Sequence, residues 1–110
     1  MMRKKGGFCF AAVAYGGEAS IPTFEQANTF WAYYLIKGKI MRRELLSLYP
    51  ENNDDKIAKF TDSSFDTLIC RNFGPRAMAR LKAEGFSLYT FEGGCDKAIQ
   101  AMIAGDIKEL

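Results

Sequence analysis

The stretch from Phe65 to Leu110 reads FDTLICRNFGPRAMARLKAEGFSLYTFEGGCDKAIQAMIAGDIKEL. It holds one arrangement twice: strand, glycine turn, helix. Asp66-Thr67-Leu68-Ile69-Cys70 is a short apolar run, preceded by an acid and followed by Arg71-Asn72. Such a run suits a strand buried on both faces. Gly74-Pro75 comes next, and proline is favoured at the first helical position, where its missing N–H costs nothing. Arg76 to Glu84 sets Ala77, Met78 and Leu81 on one side and charges elsewhere, the pattern of an amphipathic helix. Gly85 is the expected left-handed stop. Phe86 to Phe91 then alternates, with Phe86, Leu88 and Thr90 on one face. Gly93-Gly94 makes the second turn, and Asp96 to Ala104 carries a stripe of Ala98, Ile99, Met102 and Ile103, closed by Gly105. Two consecutive units of this kind imply parallel strands with both glycine turns at one edge of the sheet.

Working back toward the N-terminus, Phe8 to Tyr15 is apolar on both faces and predicts an interior strand. Asn28 to Ile36 is aromatic and β-prone, and Lys37-Gly38 is a tight turn into a return strand, Lys39 to Leu48. Alternation in that last strand is poor, which places it at the sheet edge, where charge discourages edge-to-edge pairing. Tyr49-Pro50 breaks the run, and Asp54 to Thr61 predicts a short helix with acids in its first turn. The element string is β-β-β-α-β-α-β-α. It is an α/β, ribonuclease-H-like arrangement: a five-stranded mixed sheet of order 3-2-1-4-5, expected as one domain over residues 1–110. Ligands favour the switch point between the first and fourth strands, outside the carboxyl ends of the parallel strands.

Composition narrows the function classes. The chain has 110 residues, 48% hydrophobic and 14% aromatic, enough to build a core. Fifteen Lys+Arg against 13 Asp+Glu give a net charge of +2, too little to argue for nucleic-acid binding. No stretch approaches the roughly 20 apolar residues of a membrane span. Arg3-Lys4-Lys5 followed by Phe8 to Val13 mimics a leader peptide, but cleavage there would delete the central strand, so an uncleaved cytoplasmic protein is expected. With no histidine, imidazole-based triads and metal sites fall away. The three cysteines, Cys9, Cys70 and Cys95, lack CxxC spacing and are expected to be reduced thiols.

Three loops meet at the switch-point edge: Tyr15-Gly16-Gly17, Arg71-Asn72-Phe73-Gly74 and Glu92-Gly93-Gly94-Cys95. Two helices start there, with unpaired N–H groups and partial positive charge, and glycines admit a ligand close to the backbone. Arg71 and Arg76 add formal charge, so the edge is a candidate anion site. Arg42 and Arg43 are expected to take no part. Cys95, at a helix start, is expected to favour thiolate, a soft ligand for metal–sulfur species. Cys70 lies near the same edge, and these two are the candidate metal ligands. A two-metal nuclease would need acids on the first strand and at the end of the fourth, which Phe8 to Tyr15 and Cys70-Arg71 do not provide.

In order and spacing, Asp66-Thr67-Leu68-Ile69-Cys70, Gly74-Pro75-Arg76-Ala77, Leu81-Lys82-Ala83-Glu84-Gly85, Tyr89, Glu92-Gly93-Gly94 and Ala98-Ile99 resemble the dinitrogenase iron–molybdenum cofactor biosynthesis family, of the NifX and NifB C-terminal type. The resemblance covers Phe65 to Gly105 closely and the first half more loosely. It implies the same fold and a non-enzymatic carrier of a molybdenum- or iron–sulfur cluster or its precursor, with a donor or acceptor protein as partner. The binding site expected from the loops themselves is Gly16, Gly17, Thr23, Arg71, Asn72, Gly74, Arg76, Gly93, Gly94 and Cys95, and Cys95 is not a ligand that the resemblance implies. Thr23-Phe24-Glu25 stands where the family usually has a His-Phe-Gly motif, and Cys95 where it usually has a small polar residue. The absent histidine and Thr23-Phe24-Glu25 favour an alternative, a regulatory or interaction module that keeps the fold and has lost the cluster site, whereas Cys70 and Cys95 near the edge favour the carrier.

Overall fold

The computed structural model describes residues 7–17 and 20–110. Arg3-Lys4-Lys5, the basic part of the leader-like pattern, lies outside the described residues. The elements are β1 (Phe8–Ala14), β2 (Thr29–Ile36), β3 (Lys39–Ser47), α1 (Asn53–Thr61), β4 (Thr67–Cys70), α2 (Pro75–Ala83), β5 (Ser87–Thr90) and α3 (Cys95–Ala104). They form an α/β structure around a five-stranded mixed sheet of order β3-β2-β1-β4-β5. β1 runs antiparallel to β2 and parallel to β4, and β4 runs parallel to β5. The carboxyl ends of β1, β4 and β5 therefore open on one edge, as the two β-turn-α units require.

Period-two alternation divides the core between the two faces of the sheet. Phe10, Ala12 and Ala14 of β1 stand beside Tyr34, Ala32 and Phe30 of β2. This face is covered by α1 and α2. Phe60 of α1 is its hub, its ring 5.0 Å from Phe30, 5.7 Å from Phe65 and 6.5 Å from Phe86. The opposite face carries Ala11 and Val13 beside Tyr33 and Trp31, and α3 packs there through Cys95, Ala98 and Ile99. Strand β1 is buried on both faces over Ala11 to Ala14, which explains its unbroken apolar run.

Local chemistry sets the punctuation. Lys37 and Gly38 both have positive φ, 51° and 78°, the backbone that a two-residue hairpin needs. Asn52 caps α1 by accepting from Asp55 N–H at 2.8 Å. Helices α2 and α3 instead start from Gly74 and Gly94, with no side-chain cap. Asp66 fastens the start of β4 to β1: its Oδ2 accepts from Phe10 N–H at 2.9 Å and its Oδ1 from the Thr67 hydroxyl at 2.6 Å.

A candidate anion site at the start of the last helix

At the start of α3 a cavity of about 630 Å³ opens at the strand edge. Gly93, Gly94, Cys95, Asp96 and Lys97 form its floor, and Tyr15, Trp31 and Arg43 its wall. Its volume lies within the ~300–1,000 Å³ typical of small-ligand clefts. Gly93 has φ 137°, a backbone that other residues rarely adopt. The Tyr15 and Trp31 rings meet edge to face at 6.0 Å. The Arg43 guanidinium sits over Trp31, 4.3 Å from the ring centroid, and its Nη1 is 3.0 Å from Asp96 Oδ1. The Tyr33 hydroxyl donates to that same oxygen at 2.9 Å, and burial, with Asp96 next, pushes its ionisation well above the usual phenol value. Asp96 thus holds Arg43 at the rim, and Lys97 adds a second cation. The start of α3 adds the positive end of its dipole.

The expected site is divided by this geometry. Gly93, Gly94 and Cys95 line the cavity, and Gly16 and Gly17 follow Tyr15 on the adjoining loop. The β4–α2 turn does not present an open anion site. Phe24 N–H donates to Asn72 O at 2.9 Å, and Arg71 N–H to Pro22 O at 3.0 Å, so the Pro22–Ala27 loop lies over it. Gly74 N–H donates to Glu25 Oε2 at 3.0 Å. A Cβ at Gly74 would stand 2.8 Å from that oxygen. The glycine does admit a close anion, but the anion is the chain's own carboxylate. Thr23 closes the same loop, its carbonyl accepting from Ala27 N–H at 3.0 Å. Arg76 points away, its Nε and Nη2 fixed to Asp54 of α1 at 2.9 and 3.2 Å. Arg71 is exposed at the neighbouring turn.

The cysteine expectations need correcting too. Cys95 is the first residue of α3, yet it is buried and its thiol donates to Ala14 O at 3.2 Å. Burial, with Asp96 beside it, pushes the thiol up to about 11, so the thiolate expected from the helix dipole is not favoured. Cys70 is fully buried, and by alternation it shares the α1–α2 face with Leu68. Burial and then the nearby Glu25 carboxylate raise its thiol well above the ordinary value. Among the described residues no group of three or more Cys, Asp or Glu is placed to hold a metal ion. The cavity suits an anion held by charge, N–H groups and aromatic walls, and supplies no ligand set for a bare cation.

Arg43, Trp31, Tyr15 and Lys97 were not among the expected site residues, and Arg43 was expected to take no part. The available signal was the hairpin, which sets β3 residues against the Trp31 face. Another residue that sequence reasoning passed over is Lys56. It is 1% exposed, and its Nζ donates to Phe24 O at 2.7 Å and Glu25 O at 3.1 Å, holding the loop over the β4–α2 turn.

Fold and cleft together define a small α/β protein with an anion-suited cavity at the start of its last helix. The chain belongs to the dinitrogenase iron–molybdenum cofactor family, whose model matches residues 8–105. No curated protein matches it. Among solved structures it is similar to PH0822, with a TM-score of 0.80, 18% identity, and 91% of this chain and 93% of that one covered. The orange protein of Desulfovibrio gigas, solved in its apo form, gives a TM-score of 0.73 at 19% identity, covering 100% of this chain and 94% of that one. MJ0327 of Methanocaldococcus jannaschii gives 0.75 at 16% identity, covering 96% and 97%. At such identities these structures speak for the fold alone. No helix among the described residues is long and apolar enough to cross a membrane.

Proposed function

We propose that the protein is a non-enzymatic carrier that binds an anionic metal–sulfur cluster of the iron–molybdenum cofactor kind, or its precursor, in the cavity at the start of α3. The family assignment supplies the cargo class. The observation that carries the site is the meeting of Arg43, Lys97 and the uncapped helix start of Gly93-Gly94-Cys95 around one cleft. An incoming anion would compete with Asp96 for Arg43 and rest against Trp31 and Tyr15. The β4–α2 turn, filled by Glu25, contributes shape rather than charge. The element order supports a ribonuclease-H-like description; residues 1–110 as one unit, and a cytoplasmic setting, complete the reading. A carrier of this kind also requires a protein to load or unload it.

Titrating metal-free protein with tetrathiomolybdate, followed by visible absorption, tests the reading. Arg43→Ala and Lys97→Ala should each weaken binding about tenfold at low salt, since each removes one nearby cation from a partly screened site. Arg42→Ala and Arg76→Ala should leave it unchanged. Equal losses from all four would reduce the effect to bulk charge. A second reading, a regulatory or interaction module of the same fold, is favoured by Glu25 at Gly74 and by the Cys95 thiol committed to Ala14 O. Absence of any saturable absorption change would select it.

A further inference from the structure

The two margins of the sheet are treated differently. On β5, Leu110 N–H donates to Leu88 O at 2.8 Å, which closes part of that edge. On the other side β3 has β2 as its only neighbouring strand among the described residues. It is nine residues long and exposed along almost its whole length. Met41 is 62% exposed and Leu45 51%. Leu48 N–H donates to Asn28 O at 2.7 Å, which makes that position a hydrogen-bonded pair of the antiparallel ladder. Alternation then turns the peptide groups of Leu46, Glu44 and Arg42 inward to β2, and those of Arg43, Leu45 and Ser47 outward.

The geometry points to a two-fold dimer in which β3 pairs antiparallel with β3 of a second copy, centred on Arg43, to make one ten-stranded sheet. In that register Arg42 of each copy opposes Glu44 of the other. Both side chains lie on the α1–α2 face, beside Tyr34 and Ala32. They fall at a non-hydrogen-bonded position, where cross-strand side chains come closest. The two residues already pair within one chain at 2.7 Å, so the dimer gathers two such pairs into one alternating cluster. Leu45 comes opposite Met41 of the second copy, and both leave water. Moving the axis one residue either way sets Arg42 against Arg42 or Glu44 against Glu44, which selects this register. At the axis the two Arg43 side chains meet, but each is held by its own Asp96. Charge on an edge strand normally deters pairing. Here opposite signs two residues apart become complementary once the strand meets itself. The β-bulge, at Met41, lies outside the central Arg42–Glu44 triplet. The inference does not depend on the cluster reading.

Sedimentation equilibrium of the full chain over a wide concentration range should show a monomer–dimer equilibrium. Arg42→Glu alone and Glu44→Arg alone should each weaken it roughly tenfold, because each turns two attractive cross-strand pairs into repulsive ones. The double exchange Arg42→Glu with Glu44→Arg should restore the dimer. Both side chains are exposed, and circular dichroism checks that the variants keep their fold. Hydrogen exchange on the unmodified protein needs no substitution: the Arg43 and Leu45 amides should gain protection as concentration rises. A chain that stays monomeric at millimolar concentration overturns the proposal. So does a dimer indifferent to the single reversals, or one in which those amides exchange equally at all concentrations.

Discussion

Gly74 and Gly93 are both turn glycines, yet a methyl group would test different physics at each. At Gly74 the backbone, φ −65° and ψ 156°, suits any residue. The added carbon would meet the Glu25 carboxylate, Oε2 at 2.8 Å and Cδ at 3.3 Å, the far end of a flexible side chain. Gly74→Ala should therefore cost about 1 kcal/mol, the worth of the displaced hydrogen bond. At Gly93 the φ of 137° is itself unfavourable for alanine, and a Cβ would stand 2.9 Å from the Phe91 ring. Gly93→Ala should cost at least ~2 kcal/mol, combining backbone strain with displacement of a ring. Urea unfolding of the two variants measures the difference. Equal losses would mean that Glu25 is as firmly seated as the Phe91 ring. The sequence marks both positions as turns but cannot separate them, because what each glycine faces comes from another part of the chain.

Strand β3 shows how one element decided what was legible in the candidate site. A two-residue turn pairs Ile36 with Lys39 and Leu35 with Ile40, and continuing that register would put Arg42 opposite Tyr33. The irregularity at Met41 shifts the ladder, so Arg43 opposes Tyr33 and Arg42 opposes Tyr34. A one-residue slip exchanges the faces of a strand. This is why Arg43 reaches Trp31 and Asp96, and why alternation in the sequence looked poor. The loop between β1 and β2 was hidden for a related reason: its anchor, Lys56, is on α1. Its ammonium takes up the carbonyls of Phe24 and Glu25 in a buried setting. Lys56→Met fills similar space but leaves both carbonyls without that donor. We expect a loss of about 2 kcal/mol, in line with hydrogen bonds to charged groups. The change should also bring faster exchange at the Phe24 and Arg71 amides, which close the loop over the turn. A melting temperature equal to that of the parent would show that the loop holds itself.

At the scale of the whole molecule, the strand order and the sites of the glycine turns were legible because two β-turn-α units leave few ways to close a sheet. Burial of the ionisable groups was not, since it depends on which face each strand presents, and it leads to a prediction about pH. Cys95 has its thiol raised from 9.0 to about 11, Cys70 is raised well above 9.0 by complete burial, and Tyr33 is raised from 10.0. Each binds its proton more tightly folded than unfolded. Folding stability from these groups is therefore complete below pH 9 and is lost as pH rises through their folded values. Lys56 has the opposite sign: burial lowers its value from 10.5, so the unfolded chain holds the extra proton and stability rises toward pH 10.5. Three losses face one gain, and Cys95 alone accounts for a fall on the order of 2 kcal/mol once it ionises. Urea midpoints should hold steady from pH 7 to 8.5 and fall by pH 10.5. Cys95→Ser, which keeps a donor for Ala14 O and removes the ionisable thiol, should shrink that fall. Lys56→Met, which removes the compensating gain, should deepen it. A fall of the same size in all three proteins would place the alkaline sensitivity elsewhere, in groups exposed on the surface rather than in the buried layer between the sheet and its helices.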